Sequence, residues 1–152
     1  MSRKPSQIVG IIFPFLPTHV RRFFDEGKTV FVKFYGIQTT PKRLSTGDTL
    51  FFYESKGNKE IVGEARIVEV DQGTPSEILT KHGDRLFLMA DEFEEYVGER
   101  KGRKMLVLVV DGARKYANPL KLGKSLTMAG QYMTKEFHDQ LKASGRGANL
   151  PK

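Results

Sequence analysis

The chain contains no cysteine. That absence excludes disulfides, thiolate zinc sites, iron–sulfur clusters and a cysteine nucleophile. Histidine is nearly as scarce, with His19, His82 and His138 far apart and never in an HxxxH or HExxH spacing. No metal site and no cofactor are therefore expected. No apolar run reaches the length of a membrane span. The N-terminus, Met1 to Gln7, is basic, but only about 9 apolar-rich residues follow before Pro17, without a small-residue cleavage site. These features predict a cytoplasmic protein with no targeting segment and no membrane partner. Repeats, low-complexity tracts and interdomain linkers are missing too. A chain of 152 residues is then one domain, large enough to bury a core. Its bounds are read as 1–145, with 146–152 as a flexible tail.

What is present is positive charge, unevenly placed. The net charge is +7, with a pI near 9.6. Met1–Gly47 carries 8 Lys/Arg against 2 Asp/Glu, Asp48–Asp111 carries 9 against 14, and Gly112–Lys152 carries 8 against 2. Two basic ends flank an acidic middle. If the ends meet in space they form one basic face suited to a phosphate backbone; otherwise they are solvated tails.

The clearest structural signal is Thr46 to Val70, which reads as a hairpin. Thr49 to Glu54 is aromatic and β-branched, Gly47-Asp48 turns the chain into it, and Ile61 to Val70 returns. Gly63 inside the return strand points to a bulge or to another backbone passing close. Gln7 to Phe15 predicts a buried first strand. A helix follows from Pro17 to Gly27, with Leu16, Val20, Phe23 and Phe24 inward and His19, Arg21, Arg22 and Asp25 outward. Thr29 to Tyr35 alternates, with Val30, Val32 and Phe34 facing one way and Phe31, Lys33 and Tyr35 the other. Thr74-Pro75 opens a helix with Glu77 in its first turn. Asp91 to Val97 predicts another, with Phe93, Tyr96 and Val97 inward and four carboxylates in solvent. Lys104 to Val110 reads as a buried strand, Ala113 to Leu122 as irregular, and Thr134 as the cap of a last helix ending near Gly145. Strands mixed with a few helices, without βαβ alternation, indicate an α+β fold with a small curled sheet or barrel.

The order DEGKTVFVKF, GDTLFFYES, VGEARIVEV resembles the ASCH branch of the PUA-like superfamily, to which EVE domains are related. The apolar strand MLVLVV after a helical insert suits the same pattern. With its TMAGQYM segment, the whole chain is similar to an uncharacterised archaeal family of this type. The resemblance covers about Ile8 to Val110. It implies a pseudo-barrel of five or six mixed strands with flanking helices, and a cleft associated with RNA or modified nucleotides. Of the family motif GxKxxExR, Lys28 matches the lysine and Lys33 stands at the arginine. Glu26 replaces the glycine and Phe31 the acid. A hydrolase branch acts on acylated cytidine through a lysine, a hydroxyl three residues later and a glutamate from the insert. Here the hydroxyl position is Phe31 and Glu77 matches the glutamate by position alone, so that activity is not carried over.

Each candidate site residue has two readings. Lys28 either complements a helix C-terminus or reaches into the cleft. Lys33 either snorkels past core aromatics or contacts phosphate between Phe31 and Tyr35 as stacking platforms. Arg21, Arg22, Lys42 and Arg43 are backbone contacts only if they converge. Arg114, Lys115 and Tyr116 form a second basic segment beside a buried strand. Asp91, Glu92, Glu94 and Glu95 read as a solvated helix face rather than a cation site. Gly123-Lys124-Ser125 lacks the upstream glycine of a phosphate loop. Thr127 to Tyr132 either approaches a ligand through Gly130 or packs Met128 and Met133 inward. The expected function is RNA binding without catalysis, through a cleft near Lys28 and Lys33. The competing classes are a small enzyme acting on a modified nucleoside, using Lys28 and Glu77, and a protein-interaction module exposing an apolar patch near Phe93 and Tyr96.

Overall fold

The computed structural model describes residues 7–34, 44–56, 59–122, 126 and 130–149. Six strands form a single mixed sheet: β1 (Ile8–Phe15), β2 (Val30–Lys33), β3 (Thr49–Glu54), β4 (Glu60–Gly73), β5 (Met105–Lys121) and β6 (Gln131–Thr134), in the order β2-β5-β4-β3-β1-β6. Four helices flank it: α1 (Pro17–Asp25), α2 (Pro75–His82), α3 (Ala90–Val97) and α4 (Lys135–Asn149). The architecture is the expected α+β fold with six strands.

The barrel is not closed. β2 and β6 end the sheet and do not pair with each other. The sheet still curls, because the rings of Phe13 on β1 and Phe31 on β2 stack at 4.9 Å. The outer edge of β2 is taken by the segment after α2: Val30 bridges Leu86, and the Phe87 N–H donates to the Val30 carbonyl at 3.0 Å. That segment satisfies backbone groups that a closing strand would otherwise pair.

The β3–β4 hairpin is the anticipated one, with Leu50 opposite Ala65 and Phe52 opposite Gly63. Gly63 is both of the things its position suggested. The ladder shifts register beside it, and an added Cβ would collide with the Arg114 carbonyl and the Phe24 ring. The segment Ala113–Leu122, expected to be irregular, instead extends β5 to Lys121. Pairing jumps from Gly63↔Lys115 to Ile61↔Leu120, so Asn118-Pro119 sits in a bulge where the missing proline N–H costs no ladder bond.

Strand alternation divides the interior in two. Ile11, Phe13, Leu50, Phe52 and Val62 point into the larger core, under α1 and α3. Ile12, Phe51, Tyr53 and Ile61 point the other way, into a smaller cluster closed by Leu141 of α4. Helix boundaries follow local chemistry. Thr74 and Glu77 form a reciprocal capping box on α2, and Thr74 Oγ1 accepts from the Glu77 N–H at 3.4 Å. Thr134 accepts from the Phe137 N–H at 3.1 Å, capping α4, which runs past Gly145 to Asn149.

A candidate nucleic-acid interface

One cleft opens above the larger core between α1, α3 and the curled edge of the sheet. It has a volume of about 600 Å³. Its floor is aromatic. Phe31 is central, with ring centroids 4.9 Å from Phe13, 5.2 Å from Phe15 and 5.3 Å from Phe87. Phe31 is only 4% exposed, so it is a core residue whose ring reaches the cleft floor rather than a free surface platform.

Lys33 stands on the cleft wall at the end of β2. It is half-buried, and its Nζ lies 5.8 Å from the centre of the Phe13 ring. Burial, with the nearby Arg100 charge second, holds its ammonium below the ordinary lysine value. It makes no ion pair among the described residues. The two readings of Lys33 therefore merge: its stem crosses apolar rings and its head faces the cleft.

The opposite wall carries an ionic cluster from α1 and α3. Arg22 bonds both carboxylate oxygens of Glu92, at 2.5 and 3.2 Å, and donates to the Phe87 carbonyl at 3.0 Å. Arg22 was expected on the solvent face of α1. It is instead 8% exposed and committed to this pair, because α3 folds back against the last turn of α1. Glu92, expected in solvent, is therefore inward. It also accepts the Met89 N–H at 2.8 Å at the start of α3. The bond from Arg22, aided by that N–H, holds its carboxyl down to about 2. His19 Nε2 lies 3.7 Å from Glu92, and its ring meets Phe87 edge-on at 5.4 Å. Burial is the main cause that lowers the His19 imidazole below its ordinary value.

Other sequence candidates fall elsewhere. Lys28 Nζ donates to the Asp84 carbonyl at 2.6 Å, holding the 3₁₀ turn that follows α2; it does not line the cleft. Glu77 is occupied by its capping box with Thr74. Arg21 is exposed and reaches Thr18 at 3.4 Å. Tyr35, Lys42, Arg43, Lys124 and Met128 lie outside the described residues. Leu16, expected inward, is 42% exposed at the cleft rim, because it is the cap residue of α1 and stands outside the helical register. Gly130 has φ +78° and an added Cβ would strike the Phe13 ring, while Met133 is fully buried. The described part of TMAGQYM thus packs inward.

Arg114, Lys115 and Tyr116 come together on a second concavity, on the sheet face that α4 covers. This groove of about 540 Å³ also includes Glu64, His138 and Lys142. Tyr116 donates to Glu64 at 2.6 Å, and Arg114 lies 3.3 Å from the same carboxylate. Burial and that carboxylate push the Tyr116 phenol up. A third, apolar groove separates α2 from α3, with Leu79 47% exposed at its edge; Phe93 beneath it is buried.

Sequence reasoning missed His19, Glu92, Arg100 and Lys56 as parts of the cleft region. Arg22 and Glu92 are 70 residues apart, and no spacing rule links them. The fold is similar to that of ASCH-domain structures. The ASCH protein of Zymomonas mobilis superposes with a TM-score of 0.73 over 89% of this chain and 94% of that one, at 14% identity. A Pseudomonas putida protein superposes at 0.57 over 89% and 98%, at 15% identity. The chain belongs to the family described as a domain of unknown function (DUF365), whose family model matches residues 8–135. An uncharacterized protein of Methanocaldococcus jannaschii, MJECS03, is 28% identical over 102 residues, which is 60% of this chain and 94% of that protein. Among the described residues, no helix is long and apolar enough to cross a membrane.

Proposed function

We propose that this protein binds RNA, with an unpaired base received in the aromatic cleft and phosphates held by cations around it. The observation that carries this reading is the pairing of Lys33 with the Phe13–Phe31–Phe87 floor in one open concavity. The apolar ring surface of the cleft floor packs against a base irrespective of sequence, and a neighbouring ammonium supplies the phosphate contact. The cleft is wide enough for a nucleoside, and the ionic wall of His19 and Glu92 offers polar groups to a base edge. Arg21 and the Arg114–Lys115 segment add exposed positive charge outside the cleft. A modified or structured RNA is the class of target, and the cell interior is where such a target is met.

The enzyme reading required Lys28 in a concave pocket beside a carboxylate. Lys28 instead secures a carbonyl, and Glu77 secures a helix start. No observation favours that pair as reacting groups.

The test is binding of fluorescent tRNA and short single-stranded RNA at two salt concentrations, with wild type, Lys33→Ala and Lys28→Ala compared. Steep salt dependence is expected. Lys33→Ala should weaken binding about tenfold, while Lys28→Ala should act chiefly on stability. Absence of binding at low salt removes the proposal.

A further inference from the structure

The groove under α4 shares no lining residue with the aromatic cleft. Two fixed cations, Arg114 and Lys142, face it against a single carboxylate, Glu64. That carboxylate is already engaged by the Tyr116 hydroxyl and by Arg114. It therefore acts as a pivot that orients the guanidinium across the Tyr116 ring, 5.6 Å from its centre. Lys142 makes no ion pair among the described residues. Lys115 lies opposite Gly63, on the strand face packed against Phe24, so strand alternation turns its side chain away from the groove. His138 completes the wall, half-buried with its ring 5.0 Å from Phe51.

We infer that this groove is a phosphate-binding site, in which Arg114 and Lys142 hold the anion and His138 is a further donor. The phosphate belongs either to a nucleic-acid backbone or to a free phosphate or nucleotide; only the first source rests on the RNA-binding reading. The chemistry is the same for both. A planar guanidinium fork and an ammonium group match phosphate oxygens, and a protonated imidazole adds an N–H.

The charges facing His138 decide how it responds. Lys135, Asp139 and Lys142 come from α4, Glu64 from β4, and Arg114 from β5. Lys135 and Asp139 pair with each other at 2.8 Å. Burial is the largest influence and lowers the His138 imidazole, with Lys142 acting the same way and Glu64 opposing. An empty groove thus keeps the ring neutral near pH 7, and a bound anion favours its protonation. Binding takes up a proton, and affinity falls as pH rises through the midpoint of the complex.

The chain has three histidines, so proton–carbon NMR of their rings reports the site directly in the full chain. Each ring is titrated with pH in sodium phosphate, in sodium chloride of equal ionic strength, with a uridine 12-mer, and with a methylphosphonate 12-mer. Phosphate is expected to raise the His138 midpoint by about 1 pH unit over chloride, leaving His19 unmoved, which makes phosphate affinity roughly tenfold higher on the acid side. The double variant Arg114→Ala/Lys142→Ala removes two exposed side chains and abolishes the shift, while unchanged His19 and His82 signals show an intact fold. A shift at micromolar RNA that the methylphosphonate lacks identifies a nucleic-acid backbone. A shift with inorganic phosphate and none with RNA identifies a free phosphate or nucleotide. Lys33→Ala leaves the phosphate response in place, even where it ends binding in the cleft. A His138 midpoint equal in chloride and in every phosphate-bearing probe overturns the inference. So does a shift that persists in the double variant.

Discussion

The aromatic cleft and the groove under α4 lie on opposite faces of one sheet and use different means to stay open. The cleft is bounded by rings fixed by mutual packing, and the charges nearest its floor are paired, as in Arg22–Glu92, or desolvated, as in Lys33. The groove is bounded by exposed cations on β5 and α4, with Arg114 held by the carboxylate that Tyr116 bonds. A wall built from core rings ties ligand binding to stability, because its binding surface is also the interior. A wall built from surface side chains leaves the two separable. Substitutions in the cleft should therefore cost the fold, and those in the groove should cost affinity with the fold intact.

Phe31→Ala is the most severe way to test that difference. Phe31 is 4% exposed and joins Phe13, Phe15 and Phe87, so truncation leaves a cavity and should cost about 3–5 kcal/mol. Urea denaturation reads this as a lower midpoint with little change in slope. A loss below about 1 kcal/mol would mean that the floor collapses freely, and that the cleft is not preformed.

Arg22→Ala comes next. It strands Glu92 without its partner on the cleft wall and should cost roughly 2–4 kcal/mol. Acid titration of the wild type makes the same point without mutation. The Glu92 carboxyl sits at about 2 in the folded protein against an ordinary 4.5. Its contribution is present in full above the ordinary value and is lost as pH falls through that window towards 2. His19, lowered by burial, adds a loss that begins higher, as pH falls through the ordinary histidine range. In Arg22→Ala the low-pH part of this slope should shrink, as seen in denaturation midpoints measured between pH 2 and pH 7.

Most of the fold was legible and most of the cleft was not, for one physical reason. Strand alternation, the Thr74–Glu77 capping box and the Gly63 close approach are local consequences of residue type, so they appear in sequence order. The barrel stayed open because Leu86 and Phe87 occupy the edge of β2, and nothing local to either segment announces that pairing. Arg22 illustrates the same limit at the site. Its helical position predicted solvent, and only the return of α3 turned it inward. Lys33 was found because its aromatic neighbours alternate with it along β2, whereas His19 and Glu92 reach the cleft through tertiary packing. Asn118-Pro119 misled by a different route, since proline is tolerated within β5 only at a bulge whose existence depends on the partner strand.

The smallest expected effect is also the one that isolates the groove. Tyr116→Phe removes one hydroxyl, the one bonded to Glu64 at 2.6 Å, and keeps the ring beneath Arg114. A single hydrogen bond to a carboxylate contributes about 1–3 kcal/mol, and here Glu64 keeps Arg114 as a partner, so the loss should stay near 1 kcal/mol. The freed Glu64 carboxylate should then draw Arg114 closer and leave less of its guanidinium for an anion. Phosphate affinity, read from the His138 ring, should fall by about two- to fivefold while denaturation midpoints hardly move. An unchanged phosphate response would mean that Glu64 does not set the Arg114 pose. A loss of stability as large as that of Phe31→Ala would mean that this face, like the cleft, is part of the load carried by the core.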